Sequence, residues 1–151
     1  MKRMLVPTLA LLASCSNPNA ASHASLLPVV LHGQQFSVEL ATDDASRVHG
    51  LMMRTTLAAD HGMLFVFPDT EPRGFWMKNT LIPLDILYFD TDRRLVSTQL
   101  NVPPCKADPC PTYPSSGPAR YVLELSAGTA TRIGAKAADE LKIEGDTGAA
   151  H

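Results

Sequence analysis

The stretch from Gly74 to Phe89, GFWMKNTLIPLDILYF, holds the only tryptophan of the chain and two apolar runs on either side of a polar segment. The second run, Leu84 to Phe89, has the length and the apolar content of a buried strand. Side chains alternate between the two faces of a strand, so Asp85 and Ile86 point to opposite faces. Because both faces carry apolar neighbours, we expect the Asp85 carboxylate to be buried and to need a partner.

The rest of the chain alternates short apolar runs with turn residues, and its 151 residues, 45% of them hydrophobic, suffice for one domain with a core. Helices are predicted at 43–53, with an N-cap from the segment 42–44, and at 127–133, with Ser126 as the cap. Strands are predicted at 29–31, 36–41, 63–67, 75–78, 84–89, 94–100, 119–125 and 140–144. The fold class is therefore mainly β (α+β): a compact rolled antiparallel sheet or barrel-like domain with two short helices.

Two segments rich in structure breakers interrupt this pattern. Residues 68–74 are predicted to form a loop, and residues 101–118 hold six of the twelve prolines, which excludes a helix or a regular strand. Within the second segment, Cys105 and Cys110 are expected to form a disulfide in an oxidising compartment. A redox switch and half of a metal site are the alternatives, but the spacing differs from C-x-x-C and no second cysteine pair completes a zinc site.

The N-terminus resembles a bacterial lipoprotein signal. Lys2 and Arg3 precede a short apolar run, which ends in Leu-Ala-Ser-Cys at residues 12–15. We expect a signal peptide at 1–14, a lipidated Cys15 and flexible tether at 15–27, a single domain at 28–145 and a frayed tail at 146–151. An ordinary signal peptide with a chance cysteine is the alternative. Lipid on Cys15 would hold the protein on a membrane, facing the periplasm, and Ser16 favours the outer membrane.

Composition and motifs exclude several function classes. The formal charge is −2 and Lys and Arg form no cluster, so nucleic acid is not an expected partner. The chain has no P-loop, dinucleotide fingerprint, H-E-x-x-H motif or serine-nucleophile elbow. No cofactor is predicted.

Several side chains are candidates for chemistry. Asp85 is either a structural carboxylate or an acid–base group of a hydrolase, acting with Lys78 or Arg54. Glu124 shares a predicted strand face with Val122 and is a second candidate buried acid. The single tryptophan is either core or a platform for stacking a sugar or peptide. A Cu(I) site is a further alternative, built from His49, Met52, Met53, His61, Met63, Trp76 and Met77.

Four blocks of the sequence together resemble the DUF192 (UPF0127) family: HGLMMR at 49–54, GMLFVF at 62–67, FWMKNTLIPLDIL at 75–87 and YVLELSAG at 121–128. The resemblance covers roughly residues 36–143. It implies a small, mainly β domain, often exported, with no established activity, and a cysteine pair of the kind found in exported members. The family's usual Gly-Asp near the last strand is replaced here by Ala138-Asp139.

The resemblance and the residue chemistry together suggest a groove beside the tryptophan. The expected ligand-binding residues are Arg54, Trp76, Lys78, Asn79, Asp85, Tyr113 and Glu124. The favoured hypothesis is an envelope-anchored ligand-binding or accessory lipoprotein, whose partner is a small ligand, a glycan or a protein. The hydrolase and the Cu(I)-binding protein are the alternatives, and no resident metal is assigned.

Overall fold

The computed structural model describes residues 26–151, which form seven strands and two helices. The strands are β1 (Leu27–Leu31), β2 (Gln34–Ala41), β3 (His61–Trp76), β4 (Leu84–Phe89), β5 (Leu95–Val102), β6 (Thr112–Ser126) and β7 (Leu141–Ile143), and the helices are α1 (Asp44–His49) and α2 (Thr129–Ile133). The predicted signal peptide, Cys15 and the tether up to residue 25 lie outside the described residues. None of the helices within 26–151 has the length and apolar character needed to cross a membrane.

The strands form one curled sheet in the order β5-β4-β6-β3-β2-β1-β7, which confirms the predicted mainly β, barrel-like fold. Five of its six strand pairings are antiparallel, and β2 with β3 is the parallel exception. The two outer strands approach each other, because the Leu95 N–H donates to the Asp139 carbonyl at 2.9 Å and the Leu141 N–H donates to the Arg93 carbonyl at 2.9 Å. These bonds connect the two edges of the curled sheet, near β5 and β7.

Both faces of the sheet are buried, each by its own core. The inner core takes residues from all seven strands and from α2, among them Val29, Phe36, Leu64, Leu87, Phe89, Leu95, Leu123, Ala130 and Leu141. The outer core lies on the opposite face and consists of Ala41, Leu51, Met63, Phe65, Met77, Leu84, Ile86, Tyr88, Val102, Ala119 and Val122. The alternation predicted for β4 is confirmed, since its odd and even positions separate into the two cores.

Helix α1 is shorter than predicted. Asp43 caps it as expected, accepting a hydrogen bond from the Ser46 N–H at 2.9 Å. The prediction that it continues to Met53 is wrong, because Gly50 ends it with a φ of 48°. A side chain at Gly50 would also meet the Phe65 ring, at 3.3 Å from an ideal Cβ. Gly50 therefore both stops the helix and lets it lie close to the outer core.

The first breaker-rich segment is strand, and so is half of the second. Residues 68–74 belong to β3 and residues 112–118 to β6, and the two segments pair with each other. The prediction of a loop at 68–74 and of no regular strand over 112–118 is therefore wrong. The register shifts between Val66 and Glu71 and again between Pro72 and Gly74, so the ladder is interrupted near the prolines. Pro72 lies opposite Pro118, so two residues that lack an N–H face each other.

The C-terminal part differs from expectation in detail. Helix α2 is capped by Gly128 rather than by Ser126, and it ends at Gly134 as predicted. The tail 146–151 is not frayed, because the His151 N–H donates to the Thr42 carbonyl at 3.1 Å. Leu27, which the sequence assigned to the tether, already belongs to β1. The disulfide between Cys105 and Cys110 is present as predicted.

Candidate functional site

An aromatic cluster covers the outer core where β3 ends. The Phe75 ring meets the Phe65 ring edge-on at 4.9 Å between centroids, the Tyr88 ring at 5.9 Å and the Phe67 ring at 6.5 Å. Such edge-to-face contacts add to the stabilisation that burial provides. The cluster fixes Phe75 and thereby the position of Trp76, the last residue of β3.

Glu124 lies beside this cluster in the middle of the sheet. In the ladders it is opposite Met63 on β3 and Ile86 on β4, and its side chain is on the face of Val122, as predicted. The residue is only 5% exposed, and it lines a cavity of about 30 Å³. Within residues 26–151 no group donates a hydrogen bond to its carboxyl, and burial raises the pKa of Glu124 to about 8. At neutral pH the group is therefore mainly a neutral carboxylic acid.

The cavity is bordered by α1 and the turn after it on one side and by the end of β3 on the other. Its lining residues are Arg47, Val48, His49, Gly50, Leu51, Met52, Phe65, Phe75, Trp76, Lys78, Thr80 and Glu124. A wider groove of about 470 Å³ shares Arg47, Val48, Phe75 and Trp76 with the cavity. Asp44, Phe67 and Gly74 complete the groove wall. A small inner cavity thus adjoins a larger groove at the surface.

Trp76 is 47% exposed and lines both hollows. Lys78 Nζ lies 5.5 Å from the centroid of its ring and 3.9 Å from Asp108 Oδ1. Asp108 belongs to the six-residue loop closed by the disulfide, so this loop lies beside the groove. An exposed indole at the edge of a groove is available for stacking against a ligand.

Arg47 builds the wall that faces Trp76. Its Nη1 donates to the carbonyls of Thr42 and Val66, at 2.8 Å each, and its Nη2 donates to Asp44 at 2.7 Å. Its guanidinium also lies 5.2 Å from the centroid of the Phe67 ring. These bonds tie α1 to β3, so the groove is bordered by ordered elements.

Asp85 belongs to a different part of the molecule. It is completely buried, and its two oxygens accept the Asn101 N–H and the Ala130 N–H, at 2.8 Å each. Gly128 has no side chain to cap α2, so Asp85 satisfies an N–H of the first helical turn instead. The hydrolase hypothesis that uses Asp85 is therefore wrong: the carboxylate is sealed, and neither Lys78 nor Arg54 is its partner.

Comparison with protein families matches residues 28–143 to DUF192, which is described as "Uncharacterized ACR". The chain belongs to the DUF192 family. The resemblance found in the sequence is confirmed over nearly the range expected. No curated protein matches the chain.

Two crystal structures are similar to this DUF192 domain. A protein from Sinorhizobium meliloti 1021, provisionally described as a transcription regulator, is 41% identical with a TM-score of 0.70, and the match covers 78% of this chain and 92% of that one. A protein of unknown function from Novosphingobium aromaticivorans DSM 12444 is 33% identical with a TM-score of 0.73, covering 86% of this chain and 94% of that one. Both similarities show the same family and the same fold.

The DUF192 domain brings together three of the seven residues expected at the site, namely Trp76, Lys78 and Glu124. The other expected residues lie elsewhere. Arg54 forms an ion pair with Glu39 at 2.6 Å, and Asn79 lines a separate hollow beside the disulfide loop. The Tyr113 side chain lies among the prolines of residues 103–111.

Three residues of the groove wall in the DUF192 domain are absent from the set expected at the site. Arg47, Val48 and Phe75 were not proposed as site residues, although all three line both hollows. Phe75 could have been proposed from the sequence, because it directly precedes the tryptophan in the family block at residues 75–87. Helical spacing places Val48 on one apolar face with Leu51, whereas the structure leaves Val48 62% exposed. Its placement depends on where α1 ends and could not be inferred from helical spacing.

Three of the seven side chains proposed for copper line the inner cavity, namely His49, Met52 and Trp76. Met63 and Met77 are buried in the outer core, and Met52 Sδ lies 3.9 Å from Asn79 Nδ2. His61 Nδ1 lies 2.8 Å from Asp60 Oδ1. No group of three His, Cys, Asp or Glu side chains in the described part of the chain could hold a metal ion.

Proposed function

We propose that this DUF192 protein binds a neutral glycan in the groove between α1 and Trp76, while a lipid on Cys15 holds it at the bacterial cell envelope. The single observation that carries the proposal is the exposed Trp76 ring at the edge of a groove of about 470 Å³. That volume lies within the range of about 300–1,000 Å³ found for small-molecule sites. Stacking of a sugar ring on an indole face buries apolar surface without needing charge.

The groove chemistry favours an uncharged ligand with one apolar face. Phe67 and Phe75 add aromatic wall, and the charged groups of Arg47 and Asp44 are paired with each other. The carboxyl of Glu124 is neutral at pH 7 because of burial. The formal charge of −2 supports neither DNA nor RNA as the partner, although the Sinorhizobium relative is provisionally described as a transcription regulator.

The envelope location is supported by the sequence around Cys15, which combines basic residues, an apolar run and small residues before the cysteine. We expect palmitate labelling of the full chain in a bacterial host and co-fractionation with outer membranes. Cys15→Ala should abolish labelling and release the protein from the membrane. Retention of label in Cys15→Ala would overturn the anchoring proposal.

The binding proposal is tested by fluorescence, because Trp76 is the only tryptophan and reports directly on the groove. Soluble hexasaccharides of β-1,4-glucose, α-1,4-glucose and β-1,4-N-acetylglucosamine serve as probes. We expect at least one of them to change the emission in a saturable manner, and Trp76→Ala, followed by calorimetry, to weaken that binding at least about tenfold.

Two controls separate binding from folding. Trp76→Ala should cost no more than about 3 kcal/mol of unfolding free energy and leave the domain folded, since half of the side chain is already in solvent. Leu100→Ala removes an equally exposed apolar residue outside the groove and should leave binding unchanged. The proposal fails if no hexasaccharide binds, or if Trp76→Ala binds as well as the unmodified protein.

A further inference from the structure

We infer that the inner cavity binds the hydroxymethyl arm of a hexose stacked on Trp76, and that Glu124 is the residue that hydrogen-bonds its hydroxyl group. The inference rests on the proposed function and deepens it, because it assigns the substituent that distinguishes one class of sugar from another. It depends on the burial of Glu124, on the size of the cavity and on the charges that line it.

The first argument is the carboxyl without a partner. Glu124 is 95% buried, and no group within residues 26–151 donates a hydrogen bond to it. Its oxygens remain accessible from the cavity, because Arg120 Nε is the one completely buried side-chain N or O atom without a partner in this range. A polar group withdrawn from bulk water without a partner costs up to about 1–3 kcal/mol, which native proteins usually avoid. A hydroxyl group that enters the cavity would donate to one carboxyl oxygen and accept from the other, so it would satisfy the group completely.

The second argument is size. A cavity of about 30 Å³ has room for roughly two water-sized groups, because about 10–15 Å³ is needed for one. A hydroxymethyl arm has one carbon and one oxygen and matches that space. An acetamido or trimethylammonium group is larger. The ring that bears the arm would then lie in the groove, since Phe75 and Trp76 line both hollows.

The charges around the cavity favour a neutral occupant. The charged and titratable groups that line the cavity with Glu124 are Arg47 and His49 on the α1 side and Lys78 after β3. Tyr88 from β4 lies next to Glu124 but does not donate a hydrogen bond to it, because the Tyr88 hydroxyl donates to the Tyr113 carbonyl at 2.6 Å. The neighbours are basic or neutral, so they oppose the entry of an ammonium group and leave a neutral hydroxyl as the favoured occupant.

The test compares sugars that differ only in the arm. The probes are the methyl pyranosides of glucose, galactose and mannose, and methyl xyloside, which lacks the hydroxymethyl group. Binding is measured by Trp76 fluorescence and by NMR shifts. We expect at least one hexoside to bind about tenfold more tightly than the xyloside, the discrimination that one hydrogen bond in a buried site provides.

Two variants at Glu124 test whether this residue causes the preference for hexosides over the xyloside. Glu124→Leu should reduce the hexoside to xyloside ratio to near one, with xyloside affinity retained. Glu124→Gln keeps a donor and an acceptor and should preserve the preference to within about threefold. In the unmodified protein the preference should rise above about pH 8, where Glu124 loses its proton and its carboxylate accepts a charge-assisted hydrogen bond from the hydroxyl group, whereas in Glu124→Gln it should not change with pH.

Each other outcome overturns the inference. Equal binding of hexosides and xyloside shows that the groove binds sugar without using the cavity, so the proposed function survives and the inference fails. Tighter binding of the 6-amino-6-deoxy glucoside than of the parent sugar, increasing above about pH 8 and lost in Glu124→Gln, shows an ammonium site instead. If no pyranoside and no hexasaccharide binds, both proposals fail together.

Discussion

Asp85 and Glu124 are two buried carboxyl groups on adjacent strands, and they differ in their hydrogen bonding. Ile86 is the ladder partner of Glu124 and Leu125 that of Asp85, so the two acids are one position apart on β4 and β6. Asp85 faces the inner core and accepts two backbone N–H groups at 2.8 Å. Glu124 faces the outer core and, among the described residues, accepts none.

The difference separates a structural carboxylate from a candidate binding group. Asp85 joins β4 to the end of β5 and to the first turn of α2, so its burial is compensated within the fold. Glu124 is not compensated, and its burial lowers the stability of the domain at neutral pH. A local arrangement that costs stability without a structural return is typical of functional sites.

The largest effect is expected at Asp85. Asp85→Leu leaves the N–H groups of Asn101 and Ala130 buried without an acceptor, and we expect it to lower the free energy of unfolding by about 4 kcal/mol. Asp85→Asn retains one acceptor oxygen and should lose about half as much. Urea unfolding followed by circular dichroism measures both. A loss below about 1 kcal/mol in Asp85→Leu would contradict the structural role.

A smaller, pH-dependent effect is expected at Glu124. Its folded-state pKa of about 8 lies above the ordinary value of 4.5, so between these values the folded state holds a proton that the unfolded state has released. The stability contributed by this proton is complete at acid pH and is lost as pH rises, at up to about 1.4 kcal/mol per pH unit. Glu124→Gln cannot ionise and should not show this loss.

Urea unfolding of the two proteins at several pH values measures that difference. From about pH 6 to about pH 8, Glu124→Gln should gain about 2 kcal/mol of unfolding free energy relative to the unmodified protein. Subtracting the two curves cancels the opposite contributions of Asp43, Asp60, Asp69 and Asp139, whose pKa values are lowered. A difference that stays constant with pH would show that Glu124 is ionised throughout.

The smallest effect is expected at Lys78. Its replacement tests whether Glu124 has a cationic partner. Lys78 Nζ lies 3.9 Å from the exposed Asp108 carboxylate, and such surface pairs contribute little. Lys78→Met should change the unfolding free energy by less than about 0.5 kcal/mol and leave its pH dependence as it was. A steeper pH dependence in Lys78→Met would mean that Lys78 pairs with the Glu124 carboxylate in solution.

The sequence predicted what depends on local alternation. The faces of β4 and the side of Glu124 follow from a period of two in apolar residues. The burial of Asp85 and its need for a partner were predicted, but its donors at Asn101 and Ala130 were not, because they are backbone groups, which carry no residue signature. The strand continuing through Pro72 was also missed, because pairing with β6 outweighs local propensity.

The protonation state of Glu124 is measured directly by NMR titration of glutamate labelled with carbon-13 at the Cδ carboxyl. The chain has five glutamates, and the signal missing from Glu124→Gln assigns the one of interest. We expect this carboxyl carbon to titrate with a midpoint near pH 8, well separated from the ordinary value of 4.5. A midpoint close to 4.5 would contradict the account, because Glu124 would then be an ordinary ionised side chain at neutral pH.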